Sequence, residues 1–470
     1  MTFNSFEFLV FLPLVVGFYY CLNPRYRWML LLAASYFFYM WWNPFYIVLI
    51  ITSTAIDYFA ARAIEKTSEK IKKRKYLLLS LFTNLGLLFS FKYYGFFTGS
   101  MQRLLSQAGI EVHFPYLDVL LPVGISFYTF QTLSYTIDVY KGKIKAEQHP
   151  GYFALYVTYF PQLVAGPIER YDRLSPQLKA TFRPNYENFS NGFRLVLFGL
   201  FTKMVIADNL APYVEEIYNG YATFSTASIG LGLFFYSFQI YADFYGYSTI
   251  AVGSALLMGV NLIDNFRTPY LARNISEFWK RWHISLSSWF RDYVYIPLGG
   301  NRVSWLRWAF NVFVVFTLSG LWHGANWTFV IWGSIFGVMF LVERFFQDKL
   351  GWITPEEWGW LRVAGVIKTF IIVTLAWVFF RSPSLSQALD LFKHLFLNTN
   401  LQLQHLKPDV YVIFWLGLFI LSDLWLFNSR FDKRMARIPL AARWAIYAML
   451  IFAITAFGGT DNQPFIYFQF

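Results

Sequence analysis

Apolar residues in this chain gather in long runs rather than at the alternating positions of a strand or the one-sided stripe of a soluble helix. The runs fall at about 6–22, 28–42, 45–61, 76–97, 117–137, 151–166, 190–208 and 227–260. After a polar, aromatic-rich interval they resume at about 308–322, 326–345, 362–381, 410–427 and 444–458. A helix needs about 20 apolar residues to cross hydrocarbon, and several runs are shorter or broken by Pro and Gly. The pattern predicts an all-α polytopic membrane protein with roughly 11–13 spans. No internal repeat and no long soluble segment interrupts it. One membrane domain over 1–470 is therefore expected, with a body at 1–443 and a last span plus tail at 444–470.

Composition agrees. The 470 residues are 57% hydrophobic and 14% charged, against about 45–50% and 25% in soluble chains. That excludes soluble, disordered, fibrous and disulfide-scaffold classes together. A single cysteine, Cys21, excludes an intrachain disulfide and a thiol-ligated metal cluster. The first residues, Met1 to Glu7, lack the basic region of a cleaved signal, so the first run is expected to stay as an anchor.

Charge sets the topology. The net charge of +12 reads as cytoplasmic-loop charge and not as a nucleic-acid footprint. Arg62 to Lys75 holds seven basic residues against Glu65 and Glu69, which puts that loop inside. Counting back puts Arg25 and Arg27 inside too, and the N-terminus outside. Arg430 to Arg443 carries five basic residues against Asp432 and is also expected inside. The last run then exits, leaving Gly459 to Phe470 as an extracytoplasmic tail. Its aromatic residues are unlike an ordinary polar tail and predict that it docks.

Polar residues inside apolar stretches mark candidate chemistry. His323 lies between two apolar runs in Thr317-Leu-Ser-Gly-Leu-Trp-His-Gly-Ala-Asn326. From position alone it is either reactive or a hydrogen-bonding histidine between helices. The segment from Arg267 to Arg307 holds seven basic residues and two acids among Trp, Phe and Tyr. Such a segment suits an adenine nucleotide carrying phosphates, and equally a cytoplasmic interfacial helix. His113, His149, His394 and His405 carry no convincing constellation, although His113 opens a His-x4-Asp match ending at Asp118. No P-loop, nucleophile elbow, zinc motif or dinucleotide fingerprint is present.

Five segments together resemble the membrane-bound O-acyltransferase (MBOAT) family, in the branch of bacterial alginate and peptidoglycan O-acetyltransferases. They are Leu121-Pro-Val-Gly-Ile-Ser-Phe-Tyr128, Phe160-Pro-Gln-Leu-Val-Ala-Gly-Pro-Ile168, Tyr241-Ala-Asp-Phe-Tyr-Gly-Tyr-Ser248, Glu277-Phe-Trp-Lys-Arg-Trp-His-Ile-Ser-Leu-Ser287 continuing to Arg291-Asp-Tyr-Val-Tyr-Ile-Pro-Leu-Gly-Gly-Asn-Arg302, and Gly320-Leu-Trp-His-Gly-Ala-Asn326. In the third, Tyr245 and Thr249 stand where the family usually has Ser and Asp. The resemblance implies a multi-helix body with re-entrant helices and a central tunnel. It implies acetyl-CoA as donor, no metal, His323 as catalytic histidine and His283 as the second family histidine. Asn326 and Trp322 are then positioning groups, and Lys280, Arg281 and Trp282 bind the donor.

The tail adds a second resemblance. Phe465-Ile-Tyr-Phe-Gln-Phe470 is similar to the Phe-x-Tyr-x-x-Phe ending of the small membrane partner in bacterial teichoic-acid D-alanylation, and to that of some peptidoglycan O-acetyltransferases. It implies that Tyr467 carries the acyl group; an aromatic interface anchor is the plainer alternative. A phenol, with an ordinary pKa near 10, is a poor nucleophile without a base, and an imidazole near 6.5 can take its proton. The expected protein is an O-acetyltransferase of the bacterial inner membrane. It would acetylate a cell-envelope or exported polysaccharide, peptidoglycan first and alginate-like polymers next, through an extracytoplasmic SGNH-type esterase-like partner. Its rivals are a glycan transporter or export scaffold without acyl chemistry, and an acyltransferase with a long-chain donor.

Overall fold

In hydrocarbon every backbone amide must bond within the chain, and the apolar runs resolve accordingly as helices. The computed structural model describes residues 1–115, 117, 119–164, 166–351, 355–397, 407–459 and 463–468, and among them there is no strand. Among the described residues seven helical stretches are long and apolar enough to cross a membrane: Pro44–Lys66, Lys70–Gln107, Tyr186–Thr223, Trp305–His323, Trp327–Leu350, Trp360–Arg381 and Leu440–Phe457. Phe6–Cys21 and Val410–Trp425 are apolar but shorter. The difference from the 11–13 runs has a physical source. The 151–166 run breaks at Tyr159 into Pro150–Thr158 and Phe160–Leu163. The 227–260 run is one helix, Thr226–Leu257, diluted by a polar row that includes Ser237, Gln239 and Asp243. Outward faces are apolar, as a lipid solvent requires: Leu78, Leu79 and Phe82 are exposed on Lys70–Leu88.

The described chain forms two compact units, Met1–Ser190 with Ser254–Ile263, and Asn191–Gly253 with Asp264–Phe470. In the first, α1 (Ile47–Lys66), α2 (Lys70–Leu88) and α3 (Ile125–Tyr140) pack together. The buried Asp57 of α1 is held by Ser80, by Asn84 Nδ2 at 2.9 Å and by Thr136 Oγ1 at 3.1 Å. A buried carboxylate survives only when so bonded. Two of the family-like segments are architectural here. Gly124 starts α3 at φ 78°, where a Cβ would lie 2.9 Å from the Leu163 carbonyl oxygen. Gln162 Nε2 donates to the Tyr156 carbonyl at 2.8 Å.

The second unit contains α4 (Thr226–Leu257, through Gly253), the short α5 (Ile275–Arg281) and α6 (Ile284–Phe290), and the hairpin of α7 (Trp305–His323) and α8 (Trp327–Leu350). Glycine lets the hairpin close. A Cβ on Gly320 would lie 2.2 Å from the Phe329 carbonyl oxygen, and one on Gly333 2.3 Å from that of Phe316. The final span, α9 (Leu440–Phe457), leads into the tail, whose Ile466–Phe468 forms a 3₁₀ turn.

Candidate functional site

The α5–α6 corner delivers the first histidine. Asn274 caps α5 by accepting from the Glu277 N–H at 2.7 Å. The chain turns at His283, which adopts φ 44°, ψ 55°. A left-handed non-glycine residue costs about 1–3 kcal/mol and persists only where its surroundings fix it. Here Asn265 does so. Its carbonyl accepts from Ile284 N at 3.0 Å and its side chain from Ser285 N at 3.3 Å. The turn sends the imidazole into the interior, where it is fully buried.

His323 ends α7 and is 2% exposed. Gly324 follows it because a Cβ there would lie 2.1 Å from the Phe329 ring. Asn326 caps α8, accepting from Thr328 N at 3.1 Å and donating to the Pro383 carbonyl at 2.8 Å. It therefore shapes the backbone beyond His323. Trp322, Trp332 and Phe380 surround the His323 ring at centroid separations of 5.0, 5.1 and 5.4 Å.

The tail supplies the third ring. Tyr467 lies 5.5 Å from His323 and 6.4 Å from His283, centroid to centroid, and the two imidazoles are 6.3 Å apart. Phe244 floors the cluster, 4.4 Å from Tyr467 and 4.7 Å from His283. Both His283 and Tyr467 lie outside the spanning helices. Burial pushes the His283 imidazole down to about 3 and the Tyr467 phenol well above its ordinary value. Both groups are neutral near pH 7. The Tyr467 hydroxyl is buried with no hydrogen-bond partner among the described residues. Such a phenol does not ionise by itself; to act as a nucleophile it would have to give its proton to a neighbouring base as the new bond forms.

Lys280 and Arg281 line a polar cavity of 690 Å³ with Arg267, Arg273, Arg344 and Arg362, against Glu277, Asp348 and Glu356. Burial raises the Glu277 carboxyl, but the Arg273 N–H and the Arg281 guanidinium together outweigh it and hold it below its usual range. Lys280 and Arg344 are shared with a second, mostly apolar cavity of 880 Å³, walled by Trp305, Trp308, Phe316 and Phe340 and reaching Ser319, one turn before His323. Trp282 is on neither wall. Extended between α5 and the left-handed His283, Trp282 turns its indole inward, onto Phe266 and Trp377 at 5.0 Å each. A third cavity, of 520 Å³, is lined by Arg430, Lys433 and Arg437 and by Tyr245 and Thr249, the two departures from the family pattern.

The other described histidines are structural or peripheral. His149 caps Pro150–Thr158 through Nδ1, His394 bonds the Asp390 carbonyl at 2.9 Å, and His113 is exposed. Asp118, His405 and the final tail residue, Phe470, lie outside the described residues. One group escaped the sequence reading. Lys203 is buried between Asp208 (2.7 Å) and Asp243 (2.6 Å) and touches the tail. Its signal was present, since all three charges fall inside apolar runs.

Residues 148–382 match the sequence model of MBOAT, the membrane-bound O-acyltransferase family. The chain is 36% identical to the probable alginate O-acetylase of Pseudomonas putida, over 100% of both chains. It is 36% identical to the peptidoglycan O-acetyltransferase of Helicobacter pylori, over 87% of this chain and 82% of that one. It is 31% identical to the teichoic acid D-alanyltransferase of Bacillus subtilis, over 57% of this chain and 71% of that one.

Proposed function

The chain belongs to the membrane-bound O-acyltransferase family and is a multi-pass membrane protein, and from that premise we propose that it moves acetyl from cytoplasmic acetyl-CoA across the bacterial inner membrane to O-acetylate a cell-envelope or exported polysaccharide. The observation that carries this reading is the seating of a C-terminal tyrosine against two buried histidines. In the proposed step the Tyr467 oxygen attacks the thioester carbonyl carbon and His323 accepts the phenolic proton. The carbon–sulfur bond breaks, and the thiolate leaves and takes up a proton. His283, neutral and fixed by its turn, orients the cluster. A phenolic ester keeps much of the acyl-transfer potential, because phenolate leaves more readily than a sugar alkoxide.

Delivery follows by a second exchange. A serine hydroxyl on an extracytoplasmic SGNH-type partner attacks the tyrosyl acetate, takes the acetyl and restores the phenol. The donor's chemistry is matched by the two cavities that share Lys280 and Arg344. One offers guanidinium groups for phosphates and the other an apolar groove for the pantetheine arm. Relatives named for alginate are 36–39% identical to this chain and a relative named for peptidoglycan 36%, so identity gives no support for peptidoglycan and that preference rests on the tail. The test is peptide mass spectrometry of the purified protein after isotopically labelled acetyl-CoA, with His323→Ala and Tyr467→Phe alongside. Label on Tyr467 that requires His323 is expected. CoA release that depends on His323 without label on the tail would remove the carrier and leave direct transfer.

A further inference from the structure

The tail is held by more than aromatic packing. Lys203 lies in a π-helical stretch, Thr202–Ala207, a geometry that recurs at functional sites. Its ammonium is 1% exposed and sits between the Asp208 and Asp243 carboxylates. That ammonium also donates to the tail, to the Gln463 carbonyl at 3.1 Å. Asp243 completes the grip with its other oxygen, which accepts from the Ile466 N–H at 2.7 Å. Two main-chain groups three residues apart are thus read by one buried ion cluster. Between them Phe465, fully buried, stacks on Tyr247 at 4.4 Å and 18°. With the tail seated, about 60 Å³ of space remains beside the cluster.

We propose that Lys203, Asp208 and Asp243 form a backbone clamp for the C-terminal peptide and are the positioning residues that bring Tyr467 to the histidines. In its consequence for transfer the proposal rests on the reading of Tyr467 as acyl acceptor; the seat itself does not. A burial-only seat would be satisfied by Phe465 and indifferent to the main chain. This one reads a carbonyl at 463 and an amide at 466, and it leaves the Gln463 and Pro464 side chains exposed. Its ligand class is an aromatic peptide in this turn conformation, recognised by main-chain groups and two ring slots.

The experiment uses the full chain in nanodiscs and two readouts: hydrogen exchange of the tail amides, and label on Tyr467 from isotopically labelled acetyl-CoA. Ile466→Ala strips the side chain and keeps the N–H; Ile466→Pro removes the N–H as well. Lys203→Met removes the clamp from the body, and exchange in the α7–α8 hairpin reports whether that body still folds. Ile466→Pro should exchange at least about tenfold faster than Ile466→Ala at the neighbouring tail amides, the loss of one hydrogen bond to a charged group. Its Tyr467 label should fall in the same proportion, and Lys203→Met should match it with the hairpin protected as in the parent. Equal exchange in the two Ile466 variants would overturn the clamp. A wild-type tail that is protected yet never labelled would instead sink the carrier reading and leave the clamp standing.

Discussion

A buried hydroxyl with no partner costs about 1–3 kcal/mol, and Tyr467 carries one. Tyr467→Phe should therefore melt at the same temperature as the parent or higher, while acetyl label on the tail disappears; differential scanning fluorimetry and mass spectrometry on one preparation test both halves. His283 gives a pH prediction. Its folded pKa, about 3 through burial, lies below the unfolded 6.5, so the folded state binds fewer protons. The stability contributed by the neutral ring is complete above pH 6.5 and is lost as pH falls towards 3, at roughly 1 kcal/mol per pH unit. Between pH 7.5 and 5.5 the parent should lose thermal stability that His283→Gln does not lose. His323 was legible as a polar group between apolar runs, whereas His283 and Tyr467 came only from the resemblances, and the structure brings the three rings together. Trp282, which the resemblance implied binds the donor beside Lys280 and Arg281, is instead buried, and the left-handed turn at His283 that buries the indole has no signature in residue type.

At the scale of elements, the α7–α8 hairpin controls where His323 sits. Gly324→Ala meets the Phe329 ring, and overpacking of that kind costs about 1–3 kcal/mol. Trimming the ring in Gly324→Ala/Phe329→Ala should recover part of the lost acetyl transfer. Gly320→Ala meets a backbone oxygen instead, so no trimming of a neighbouring side chain should rescue it. Transfer assays and melting curves on the three variants separate a side-chain clash from a backbone clash. Helix existence was readable from the apolar runs, and so was their breaking by Pro and Gly, but not where each break falls. The split at Tyr159 comes just before Pro161, which opens the next short helix, and the polar row on Thr226–Leu257 makes sense only once Asp243 is seen beside Lys203. Those two residues are 40 positions apart in chain terms, and run-by-run reading cannot pair them.

For the whole molecule, the charge pattern predicts a testable topology. In a Cys21→Ala background, Gln463→Cys should react with a membrane-impermeant maleimide on intact spheroplasts. Lys70→Cys, exposed at the start of α2, should react only after permeabilisation. Reaction of both from the same side would overturn the positive-inside assignment. The attachment of the tail has a further consequence. Only 458–464 separate the end of α9 from Phe465, so the tyrosine is tethered within a few residues' reach of its seat. Tethers of that length give effective concentrations in the millimolar range. The seat can therefore be weak in the sense of a free peptide and still be filled most of the time. Under the proposed role of Tyr467, a carrier held by proximity would let go quickly, and a one-to-one ratio of carrier to body would be built into every copy made.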